Sequence, residues 1–231
     1  MPGREGIVRR YVLGLDMLTV PSYRSAGALS HSKPLPGVLM RATALPHRTG
    51  STALAQAVAL LSGRRVGVPP VVTATGMLGQ AKRWLPEAAA YFVGELEPAD
   101  LLSLCAGSVD AGGMVLLQWQ PQPRRKYGNV HAPDPPSHWM LVVGVEGSWH
   151  AQGVQAGGQV SASALLVLDA TVSPVWGCGH NLHLVPGEHK DHPRTREAAM
   201  SSAVWTAFTL DGELECGVML AVVALYPTAS Q

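Results

Sequence analysis

This sequence has little charge. Only 14% of its 231 residues are charged, and 17 Lys and Arg against 16 Asp and Glu leave a formal net charge of +1. Such a chain carries no global field for nucleic acid or an anionic membrane surface, so neither is an expected partner. Cysteine is also scarce. Three cysteines cannot close a disulfide framework, and a chain of this length needs none. Long hydrophobic runs are missing as well. The longest, Gly217 to Leu225, is strand-sized and falls well short of the about 18 apolar residues that span a bilayer. The first ten residues are polar and lack an apolar h-region with a cleavage site, so no secretory leader is expected. A cytoplasmic protein is expected, although export by a dedicated secretion system leaves the same sequence. The glycine-rich stretches Gly76–Gly79 and Gly107–Gly113 lack a Gly-Lys-Ser/Thr ending, so no phosphate loop is expected.

What is present is apolar: 47% of residues are hydrophobic, beside 25 Gly and 18 Pro. That composition predicts one folded domain over 1–231 with many loops and short strands. Residues 1–40 read as an N-terminal extension, with Tyr11 to Leu18 a strand or short helix and Ser22 to Gly37 a loop. Gln120 to Ser137 is a long Pro-rich loop, Gly153 to Ser163 a small-residue turn region, and 178–196 a His-rich insertion.

The first strong element follows Thr49-Gly50-Ser51-Thr52. Hydroxyl caps precede an Ala/Leu run that ends at Ser62-Gly63, which predicts a central helix over about 51–62. Gln56 is its single polar residue, so burial on most sides is expected. Met77–Trp84 and Pro98–Ala106 are predicted helices. The period then changes. Met114–Trp119, His138–Val145 and Leu165–Asp169 read as strands, and 203–225 as a closing hairpin around Asp211-Gly212. Helices first and strands second predict an α+β fold, with the helices packed against an antiparallel sheet.

Three residues could meet in that fold. Thr49 stands at the start of the central helix, His138 opens an apolar strand and Asp169 closes the next. A hydroxyl at a helix start, an imidazole base and a carboxylate that orients it are the parts of a nucleophilic site.

The segments Thr49-Gly50-Ser51-Thr52-Ala53-Leu54, Ser137-His138-Trp139-Met140-Leu141-Val142-Val143-Gly144 and Leu166-Val167-Leu168-Asp169 resemble, in order and spacing, the motifs of C39-like peptidases. These form a branch of the papain-like cysteine peptidases. The likeness covers roughly residues 40–175. It implies a papain-like α+β domain, no cofactor and no metal, and a cleft for a peptide or protein ligand. In that family the helix begins with the nucleophilic Cys, the strand carries the catalytic His, and the last strand ends on an orienting Asp. Here the nucleophile position holds Thr49, the oxyanion Gln position holds Thr43, and Ala170 follows Asp169 where the family has Pro.

A threonine hydroxyl away from the N-terminus has a far higher pKa than a thiol and is stiff at its β-carbon. The expectation is therefore a degenerate, catalytically altered or inactive peptidase-like protein that binds a peptide or acyl ligand. The alternatives are a working hydrolase or acyl transferase using Thr49, Ser51 or Cys178 with His138 and Asp169, and an unrelated α+β interaction module. The plain readings stand beside these: Thr49 and Ser51 as helix caps, Cys105 and Cys216 as small buried hydrophobes, Cys178 as a loop residue. Cys178, His180, His183, His189 and His192 match no strong zinc spacing, and a solvated loop is their default. Arg124-Arg125-Lys126 reads as a solvated loop tip.

Overall fold

The computed structural model describes residues 7–11, 46–94, 96–121, 136–150, 159–172, 179–187, 204–209 and 214–227. Thr43, Cys178, His189, His192 and Arg124–Lys126 lie outside them, as do most of the N-terminal extension and of the His-rich insertion.

Eight strands and three helices make up the described chain. The strands are β1 (Ile7–Tyr11), β2 (Ala88–Val93), β3 (Met114–Pro121), β4 (His138–His150), β5 (Gln159–Leu168), β6 (Leu182–Pro186), β7 (Val204–Thr209) and β8 (Leu214–Pro227). The helices are α1 (Pro46–Ser62), α2 (Ala74–Trp84) and α3 (Pro98–Asp110). Every strand pairing is antiparallel.

The sheet closes on itself. Its path β4-β3-β8-β7-β6-β5 returns to β4 through the β4–β5 ladder, so six strands form a barrel. β1 extends the sheet beside the second half of β4, and β2 beside the second half of β8. This corrects the expected papain-like α+β fold. No helix is central, and the three helices lie against a closed barrel. The physical reason is the pairing of β5. It runs back along β4 from Leu141↔Leu168 to His150↔Gln159, while β6 and β7 connect it round to β8.

Alternation along the strands builds two cores. Val115, Leu117, Trp119, Met140, Val142, Leu165, Val167, Leu182, Leu184, Trp205, Val222 and Ala224 pack together on one face, with Leu101, Leu102 and Cys105 of α3 over them. Met114, Leu116, Trp139, Leu141, Val143, Val223 and Leu225 point the other way, onto Leu54, Ala57 and Val58 of α1 and Met77 and Ala81 of α2. Strands buried on both faces read as continuous apolar runs, which explains His138–Val145. The first core fills the barrel with apolar side chains, the inverse of the polar lumen of transmembrane barrels. Among the described residues no helix is long and apolar enough to cross a membrane.

The elements differ from their expected bounds where polar or weak sequence hid them. β5 begins at Gln159, inside the expected turn region, and β6 falls inside the expected His-rich insertion. β2, Ala88–Val93, carries three alanines and was not legible as a strand. α1 begins at Pro46, one turn before its expected hydroxyl cap. α3 runs on to Asp110 and turns into β3 through Gly112, whose φ of 74° suits glycine.

Candidate functional site

β5 is shorter than its neighbour at one end, and the candidate site lies there. Its pairing with β4 starts at Leu141, so His138, Trp139 and Met140 pair with β3 alone among the described residues. The first turns of α1 lie against this one-sided stretch.

Thr49 is fully buried on α1. Because the helix starts at Pro46, Thr49 is not its cap. Its Oγ1 instead accepts a hydrogen bond from the Trp139 N–H of β4, at 3.0 Å. A hydroxyl from a helix thus satisfies a strand donor, the residue immediately after His138. The approach depends on Gly50. A Cβ there would come within 2.2 Å of the Val71 carbonyl oxygen and 3.1 Å of the Trp139 ring. The Val72 carbonyl takes the Trp139 indole N–H at 2.9 Å and the Gln118 amide at 3.3 Å. Gln118 also donates to Ser137 Oγ at 3.2 Å.

His138 and Asp169 face each other across the end of the β4–β5 ladder. His138 Nε2 is 3.0 Å from Asp169 Oδ2, with the residues 5% and 2% exposed. The other carboxylate oxygen, Oδ1, accepts from the Thr171 N–H at 2.8 Å and the Thr171 hydroxyl at 2.7 Å. Both carboxylate oxygens are therefore fixed. An ionised carboxylate can only accept, so His138 Nε2 carries the proton between them. His138 Nδ1 has no hydrogen-bond partner among the described residues. It is the nitrogen left to take a proton or bind a ligand.

Asn181 holds Asp169 from behind. Its Oδ1 accepts from the Asp169 N–H and its Nδ2 donates to the Asp169 carbonyl, both at 2.8 Å. A third bond runs from Nδ2 to the Val172 carbonyl at 3.0 Å. Sequence reasoning missed Asn181, Thr171 and Gln118. Asn181 follows His180 in a segment that looked like solvated loop, and its partners are backbone atoms that no motif records.

The remaining candidates sit apart from this arrangement or outside the described residues. Ser51 Oγ donates back along α1 to the Arg48 carbonyl at 3.0 Å. Cys178 is not among the described residues. Cys105 is buried in α3, and burial pushes its thiol pKa far up, which suits packing and not nucleophilic attack. Cys216 is half-buried on β8, with Thr206 Oγ1 4.0 Å from its sulfur. No group of three or more metal-binding side chains occurs among the described residues.

No protein-family model matches this chain, and no curated protein or solved structure matches it either.

Proposed function

We propose that this protein is a catalytically altered, hydrolase-like barrel that binds an extended peptide or an acyl ligand at the rim formed by Thr49, His138 and Asp169. The observation that carries the reading is the buried His138 Nε2–Asp169 Oδ2 contact beside Thr49, whose hydroxyl engages the next residue of the same strand. An aligned imidazole with one nitrogen anchored and the other open is costly to bury without a use. The likeness to C39-like cysteine peptidases supports the reading at these three positions and in no wider sense, since the barrel is a different architecture. The one-sided pairing of residues 138–140 offers main-chain groups to an extended ligand, as an added strand would use them. A cytoplasmic setting belongs to the same proposal.

The hydroxyl at position 49 favours binding over cutting. Its oxygen already accepts a peptide N–H, and only a thiol or an activated hydroxyl makes an effective nucleophile. A second reading, a slow acyl transferase, keeps the same residues. Thr49 Oγ1 would attack an acyl carbon as its proton passes to His138 Nδ1, and the leaving group would depart with that proton.

The test is a titration of protein carrying 15N-labelled histidine with pooled acetylated peptides and, separately, with activated esters. Movement of the His138 ring signals with peptide supports the binding reading. Stable acylation of Thr49, located by mass spectrometry and lost in His138→Ala, supports the transferase. No response to either class removes both.

A further inference from the structure

β2 is an edge strand without a guard. It pairs with β8 from Ala88↔Pro227 to Val93↔Val222, and its other edge has no strand partner among the described residues. An edge of unpaired main-chain groups is a template for another strand, and proteins ordinarily protect it with charge, proline or a bulge. β1, also paired on one side only, carries Arg9 and Arg10. β2 reads Ala-Ala-Ala-Tyr-Phe-Val, with no charge and no proline, and its ladder with β8 runs without a register shift. Tyr91 and Phe92 are 57% and 52% exposed. Successive residues of a strand point to opposite faces, so this edge shows an aromatic ring on each face. Phe92 shares its face with Ala88 and Ala90, which pack into the core under α2. Tyr91 shares its face with Ala89 and stands beside Tyr226, with ring centroids 6.3 Å apart.

We propose that β2 is a homodimerisation edge, to which a second copy of this chain adds its own β2 in antiparallel fashion. Antiparallel self-pairing puts the two-fold axis perpendicular to the sheet, so each side chain keeps its face and the register is symmetric about one residue. Centred on Ala90, the pairing sets Ala88 against Phe92 of the partner subunit and Ala89 against Tyr91 of the partner subunit. Each exposed ring then lies opposite an alanine, and Ala90 meets its own copy on the axis. The small half of β2 thus fits its own large half, a size match that selects a second copy over an arbitrary strand. Val93 falls opposite Glu87 of the partner subunit, so the register opposes no like charges. A net charge of +1 sets little repulsion between two copies. The two-fold pair consumes both β2 edges, so assembly closes at two chains. A strand of 6 residues is a short contact beside the about 20–30 residues a side of a standard interface, so the dimer dissociates on dilution.

The experiment is sedimentation of the full chain from micromolar to millimolar concentration. The average mass should rise from that of one chain toward that of two and stop there. Phe92→Lys, at an exposed position, puts a charge on the edge and should weaken dimerisation roughly tenfold or more. Hydrogen exchange of the parent chain is a second readout that needs no variant to fold. Amides of β2 should exchange more slowly in concentrated than in dilute protein. A single chain at every concentration, dimers without that protection, or dimers that Phe92→Lys leaves intact would each overturn the proposal. Growth beyond two chains would overturn it as well, since it means pairing with a different edge. The outcome is independent of peptide binding at the rim.

Discussion

His138 Nε2 lies 3.0 Å from Asp169 Oδ2, and the carboxylate that receives it is held on its other oxygen by both donors of Thr171. Asp169→Ala removes the acceptor for three donors in a buried place. A loss of about 3 kcal/mol is expected, because buried donors left unpaired cost roughly 1–3 kcal/mol each and part of that is relieved by relaxation. Urea denaturation should show a lower midpoint at an unchanged slope. A midpoint equal to that of the parent chain would mean the contact does not hold the rim.

Thr49 is placed to satisfy Trp139, so the two sides of threonine can be separated. Thr49→Val keeps the shape and leaves the Trp139 N–H without its acceptor. About 1–3 kcal/mol of stability should be lost. Thr49→Ser keeps the oxygen and should recover most of it. Equal stability of the Val and Ser variants would show that the hydroxyl bond contributes nothing.

Gly50 answers to sterics alone. In Gly50→Ala the new methyl meets the Val71 carbonyl oxygen at 2.2 Å, and α1 must shift off β4 or the 64–72 segment must move. Overpacking of this kind costs about 1–3 kcal/mol, and in a chain of this size each kcal/mol lowers the melting temperature by about 2–4 °C. Calorimetry should find a drop of several degrees. An unshifted melting temperature would mean that α1 does not seat on Val71 and Trp139 as described.

The site was more legible in the sequence than the fold, for a physical reason. A polar residue at the end of an apolar strand must sit at the rim of a buried sheet, which put His138 and Asp169 at strand ends, and the resemblance to C39-like peptidases supplied the expectation that the two meet. Barrel closure leaves no such trace. It depends on β6 and the first half of β5, which are short, small or polar in sequence, and on their pairing with strands far along the chain. Helix-first ordering then suggested a layered α+β fold, although α1 packs on the outer face of β4 and β3 and against α2. The cap reading of Thr49 failed because the helix starts a turn earlier, at Pro46, a first-turn residue that the hydroxyl run beside it obscured.

Burial also sorts the cysteines. Cys105 is fully buried and its pKa is pushed up, whereas Cys216 is half-buried. Iodoacetamide at neutral pH should alkylate Cys216 well before Cys105 in the native protein and both together in denaturant, as mapped by peptide mass. Early labelling of Cys105 would contradict the packing of α3 over the barrel.

The most direct test of the central claim restores the thiol. In Thr49→Cys, the sulfur stands beside the strand that carries His138, and a neighbouring imidazolium stabilises a thiolate. Position 49 is fully buried, so the readout is the ultraviolet absorbance of the thiolate and not its reaction with a reagent. At about pH 6, where a free cysteine is almost wholly protonated, Thr49→Cys should show thiolate absorbance that the Thr49→Cys/His138→Ala double variant lacks. Asp169→Ala in the same background should remove much of that absorbance. Equal absorbance with and without His138 would contradict the account, leaving Thr49, His138 and Asp169 as packing residues at the end of a barrel.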